Sequence, residues 1–172
     1  MNISTRLFLG LIISALYLNS FPVFADKKPA CRLEGSYGFI YNGTSYTGSG
    51  PVPFSETGTI NVDKSNNMSA LGTLTFQFSN FAGQGPLWLL VREVMSEGSI
   101  TPDTDSPCSG TIDFESTGTV IQTSNPALLP VGAYLYNEAP RSISYTISGP
   151  KHENVDMIST SPSTIAFGSA HK

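Results

Sequence analysis

Glu56 sits where a carboxylate is not expected. From Val52 to Val62 the side chains alternate. Val52, Phe54, Ile60 and Val62 take one face, and Pro53, Ser55, Thr57, Thr59 and Asn61 the other; Glu56 falls on the apolar face. A carboxylate among inward apolar groups is costly unless it is paired or meets a polar ligand. Arg92 raises the same question beside Trp88 and Leu90. If both point inward, they can pair with each other or hold the polar head of a ligand. If either lies near the end of its strand, it reaches water, which is the commoner fate of charged side chains. The apolar part of such a site would come from Tyr37, Phe39, Phe54, Phe76 and Trp88, with Tyr41 and Phe78 available beside them. These aromatics line a cavity or fill one, and the sequence leaves both open. It assigns no catalytic residue.

Other chemistries find less support. His152 and His171 are the two histidines, both late and in or beside polar stretches. The Gly-x-Ser-x-Gly elbow of a serine hydrolase is missing. A zinc centre needs three or four Cys, His or carboxylate ligands, more than any cluster here offers, so neither metal nor cofactor is expected. Thr101, Asp103 and Asp105, and separately Asp63, Ser65 and Asn67, have a faint calcium-loop spacing. Neither set has the glycine and glutamate that complete an EF-hand, so both read as hairpin turns. Asp113 and Glu115 share one face of a strand about 7 Å apart, a glycosidase-like spacing. That face reads as solvated, because Ile112 and Phe114 take the other one.

These residues are positioned by a short, weakly charged chain. Met1 to Ala25 holds one positive charge, Arg6, an apolar core from Leu7 to Leu18, and Val23-Phe24-Ala25 before the expected cut. This is the secretory signal pattern. Its core falls short of the ~20 residues that span a bilayer, and no integral membrane segment is expected in the mature chain. One domain, 26–172, follows. The whole chain has a formal charge of -4, and loss of Arg6 makes the mature part more acidic still. Nucleic acid is excluded as a partner, since it requires a basic patch. The protein is expected outside the cytoplasm, in a periplasm or the extracellular space, and a homo-oligomer is compatible with the sequence. Export into an oxidising compartment makes a Cys31–Cys108 disulfide the default for the two cysteines.

Strand signals fill the mature region. Period-2 alternation marks Tyr37 to Tyr41, Val52 to Val62, Ala70 to Phe78 and Ile143 to Ile147. Leu87 to Met95 is more continuously apolar and reads as a strand covered on both faces. Turn clusters separate the runs, the pattern of an all-β sandwich or barrel. A helical turn is admissible only within 125–139. Glycine precedes a small hydroxyl residue and a β-former at Gly58, Gly72, Gly98, Gly110 and Gly118. Glycine inside a strand marks a bulge, a bend or a close approach, and such bends close a sheet. The expected fold is therefore an all-β, antiparallel, closed barrel. If the strands on either side of Asp63 to Asn67 pair as a hairpin, Glu56, Gly58 and Gly72 share its inner surface. Glu56 then becomes the main polar group inside, with Arg92 its nearest basic candidate.

Several pieces align in order: Cys31 before Gly35-Ser36-Tyr37-Gly38-Phe39, then Glu97-Gly98-Ser99-Ile100-Thr101-Pro102-Asp103, then Pro107-Cys108-Ser109-Gly110-Thr111. Together they resemble the exported bacterial and fungal proteins of the allene oxide cyclase barrel-like group, of calycin type. The resemblance runs from about Cys31 to the C-terminus. It implies an antiparallel barrel of about eight strands. The mid-chain stretch departs from the group's pattern, with Ser99 in place of an aromatic and extra residues at Thr104 to Ser106. No residue of the plant enzymes' active site carries over to this chain.

Three readings follow. The first is an exported barrel, not an enzyme, that binds a small apolar or amphipathic molecule. The second is a lyase or isomerase on a lipid-like substrate in the same barrel. The third is a structural or surface-interaction barrel with a filled core.

Overall fold

The computed structural model describes residues 31–172 other than 49 and 150; the expected signal segment 1–25 lies outside the described residues. Eight strands run in chain order: β1 Gly35–Thr47, β2 Gly50–Val62, β3 Asn67–Phe78, β4 Leu87–Pro102, β5 Ser109–Thr123, β6 Tyr134–Ser148, β7 Asn154–Ser159 and β8 Thr164–His171. Each pairs antiparallel with the next, and β8 returns to β1, so the sheet closes into a barrel without a free edge. The region 125–139 admitted a helical turn. It holds one such turn, where the Leu128 and Leu129 amides both donate to Asn125 O at 3.1 Å, within a loop that leads to the start of β6.

The alternation reads directly in burial. On β2, Val52, Glu56, Ile60 and Val62 are buried, while Pro53, Ser55, Thr57 and Thr59 are exposed. The expected hairpin is present: Asp63 Oδ1 accepts from the Ser65 and Asn67 amides, and Gly58 pairs with Gly72 across β2 and β3. These hydrogen bonds hold the Asp63 carboxyl below its ordinary range, with the Asn67 side chain the largest contributor.

One end of the barrel is sealed. Leu33, Tyr37, Val62, Ile147, Val155 and Ala170 pack there in a continuous apolar cluster. The Cys31–Cys108 disulfide lies over it, with Cα atoms 4.8 Å apart. The bond is consistent with an oxidising compartment. His152, distant in sequence, places Nε2 3.6 Å from Cys31 Sγ. The hydroxyl of Tyr37 donates to Glu34 O at 3.4 Å, and the Lys172 ammonium lies 5.4 Å from its ring centroid.

The other end carries the β1–β2 turn and the loops 79–86, 124–133 and 160–163, and it stays open. A second apolar cluster lines it from β2 to β5, including Val52, Leu74, Phe76, Phe78 and Leu89. Loop 79–86 turns Phe81 inward, edge-on to Phe78 at 4.9 Å. Strands β7 and β8 have 6 and 8 residues against 12 or more in the others, so the wall is lowest on their side.

Candidate functional site: a cavity with a buried carboxyl pair

The inner surface is cleared by glycines along one row. Phe39, Gly58, Gly72, Glu93, Gly118 and Tyr136 are successive cross-strand partners from β1 to β6. At three of these positions a side chain from elsewhere fills the missing volume. A Cβ on Gly58 would stand 2.7 Å from the Phe39 ring; on Gly72, 2.1 Å from Glu56 Oε1; on Gly118, 2.5 Å from the Tyr136 ring. Gly58 also lies against Leu71 O, so its Cβ is excluded by backbone. The glycines therefore do more than bend strands. They let Glu56 lean over Gly72, and Tyr136 over Gly118, towards Glu93, which stands between them in the row.

The result is a polar cluster in an apolar barrel. Glu56 and Glu93 are each 4% exposed and Ser116 is 0%. The half-buried Arg141 donates from Nε to Ser116 Oγ at 3.3 Å, and its guanidinium carbon lies 5.1 Å from the Tyr136 ring centroid. Arg32–Glu34 is the one ion pair among the described residues, so neither buried glutamate forms a salt bridge with Arg141. Glu56 Oε1, Tyr41 OH and Tyr136 OH are buried with no hydrogen-bond partner.

Burial, first, and then the adjacent Glu93 carboxyl hold the Glu56 carboxyl well above its ordinary range, against the opposing charge of Arg141. Both causes disfavour the charged form of the Glu56 carboxyl. Burial likewise pushes Tyr41 up to about 12; Ser159 opposes the shift from nearby, without reaching bonding geometry. Tyr136 is raised for the same first reason, reinforced by Glu93 and Glu56. Both phenols keep their protons.

Above this cluster a cavity of about 400 Å³ leads to the open end. One wall is a file of rings. Tyr41, Phe54, Phe76, Phe78 and Phe81 follow one another at centroid distances of 6.1, 5.9, 6.1 and 4.9 Å. The lining also includes Ser45, Thr47, Ser142, Ser159, Ser161 and Thr164. Phe39, Phe114 and the methionines Met68, Met95 and Met157 also line it.

Glu56, Phe39, Phe54 and Phe76 of the expected set come together here. The others do not. Tyr37 is buried in the sealed end. Arg92 is exposed, and Trp88 is half-buried on the outer face, where it pairs with Gln77. In β4 it is Leu87, Leu89, Val91, Glu93 and Met95 that face inward. The outer face also carries Trp88, Leu90 and Val94, so apolar content did not reveal which parity was inner. The basic group near Glu56 is Arg141, not Arg92. Arg141 continues the alternation of Ile143, Tyr145 and Ile147 by one more step, and that signal could have found it. Among the described residues no three His, Cys, Asp or Glu side chains cluster as metal ligands.

The sequence matches no family model and no curated protein. Among solved structures the chain is similar to a redesigned β-barrel, mFAP0, bound to DFHBI. Identity is 15% and the TM-score 0.38, over 81% of this chain and 98% of that one.

Proposed function

We propose that the protein is an exported β-barrel that binds one small apolar or amphipathic molecule, in keeping with its resemblance to the allene oxide cyclase barrel-like group. The observation that carries this reading is the cavity of about 400 Å³ with three unpartnered polar atoms at its apolar floor. Its volume falls in the ~300–1,000 Å³ range of small-molecule sites, which combine apolar walls with a few placed polar groups. Small barrels either fill their interiors with side chains or hold one ligand, and here the aromatics line rather than plug. Native mass spectrometry of protein purified from an oxidising compartment tests the reading. A bound small molecule, released on unfolding and absent from Leu135→Trp at the mouth, is the expected result. An unliganded protein that also fails to take up a fluorescent apolar probe would overturn it.

The buried carboxyl pair favours a second reading, a lyase or isomerase on a lipid-like substrate. A carboxyl of raised pKa beside a second carboxyl is the arrangement that proton transfer uses. Substrate turnover that disappears in Glu56→Gln while binding persists would select this reading over simple carriage.

A further inference from the structure

The floor of the cavity limits what its ligand can carry. The floor sets two buried carboxyls, Glu56 and Glu93, beside one guanidinium, Arg141. A cationic head would come to rest near Arg141. An anionic head would have to give up its hydration beside the Glu56 and Glu93 carboxyls. Arg141 is also engaged by Ser116 Oγ and the face of Tyr136. What the floor leaves unfilled is a carboxyl oxygen and two phenol hydroxyls, Glu56 Oε1, Tyr41 OH and Tyr136 OH. Their complement is a group that both donates and accepts. A hydroxyl can donate to or accept from each of these three groups, whereas a carboxylate only accepts and an ammonium only donates.

Resting on the proposed binding function, we propose that the ligand is an uncharged alcohol. Its hydroxyl lies among Glu56, Tyr41 and Tyr136, and its apolar body runs along the ring file towards Phe81. The direction follows from the lining, because Phe54, Phe76 and Phe78 continue the wall from the floor to the open end.

Calorimetric titration of delipidated protein at pH 7 with 1-octanol, octanoate and octylamine tests this. Octanol is expected to bind at least about tenfold more tightly than either charged probe, since a charge loses its hydration at the floor. Glu56→Gln and Tyr136→Phe should each weaken octanol about three- to tenfold, the range of one hydrogen bond, with unfolding midpoints confirming that both variants fold. Octanoate binding tightest would make Arg141 an anion site and overturn the proposal. Octylamine binding tightest would make the carboxyl pair a cation site and overturn it equally. Equal affinities unmoved by either variant would show that only the apolar walls bind, which overturns the proposal and leaves the binding function standing. Failure of all three probes, together with an unliganded protein in native mass spectrometry, removes both.

Discussion

Tyr37 and Tyr136 are both aromatic side chains held by the same closed sheet, yet their hydroxyls meet opposite fates. Tyr37, at the sealed end, donates to Glu34 O beneath the Lys172 ammonium. The Tyr136 hydroxyl, on the cavity floor, is buried without a hydrogen-bond partner. The same contrast runs through the two halves. The sealed half is filled by packed side chains and tied by a disulfide. The open half contains a void, a file of rings and polar groups with unused bonding capacity. A buried unsatisfied polar group costs about 1–3 kcal/mol, so the open half forgoes stability that the sealed half supplies. The difference separates an end fixed by packing from an end that holds bonding capacity in reserve.

Breaking the sealed end should have the largest effect. Replacing both cysteines by serine opens a constraint across 77 residues and should lower stability by about 4 kcal/mol, measured by urea unfolding. Ligand affinity of the folded fraction should be unchanged. A matching loss of affinity would show that the two halves are coupled. Within the glycine row, Gly58→Ala meets the Leu71 carbonyl at 2.2 Å, and overpacking against backbone should cost about 3 kcal/mol. At Gly72 the three atoms nearest an added Cβ all belong to the Glu56 side chain, with Oε1 first. Gly72→Ala should cost less than about 1 kcal/mol while shifting that carboxyl and weakening the ligand, which separates space needed by the fold from space needed by the site.

Titration sharpens the contrast further. Because the folded state raises the Glu56 pKa, it binds more protons than the unfolded chain above the ordinary glutamate range. Stability should therefore be fullest below that range and fall as pH rises towards the raised value, at up to about 1.4 kcal/mol per pH unit, the limit for one proton. Glu56→Gln should flatten this slope, and a slope unchanged by the substitution would mean that the carboxyl does not feel its burial. The smallest stability effect should come from Phe81→Ala in the mouth loop, under about 1 kcal/mol because the side chain is only half-buried. Its loss should still weaken an apolar probe severalfold, by removing contact area.

The barrel was legible wherever one face of a strand is polar. From Val52 to Val62 and from Ala70 to Phe78 the alternation gave the register that pairs Gly58 with Gly72 and turns Glu56 inward. It failed where both faces are apolar, as in β4, so Glu93 was overlooked in favour of its neighbour Arg92. It failed again where a bulge shifts the register. Between Ser116 and Thr119 on β5 the pairing with β6 slips, and Glu138 on β6 takes a φ of 48°. Tyr136 and Arg141 therefore have opposite parity in sequence although both face the cavity. The floor of the site is assembled from these places, because a polar group inside an apolar barrel has no local pattern of its own. It is recognised only from what stands across the sheet.

The sealed end has a practical consequence for handling the protein. Cys31 and Lys172, the first and last described residues, both lie at that end, beside the disulfide and Tyr37 respectively. A support or fusion partner joined beyond Lys172 is thus attached at the base of the barrel. The mouth then points away from the attachment. Immobilised molecules would present their openings to the solution uniformly, and ligand exchange on such a surface would report on the loops around Phe81 rather than on the tether.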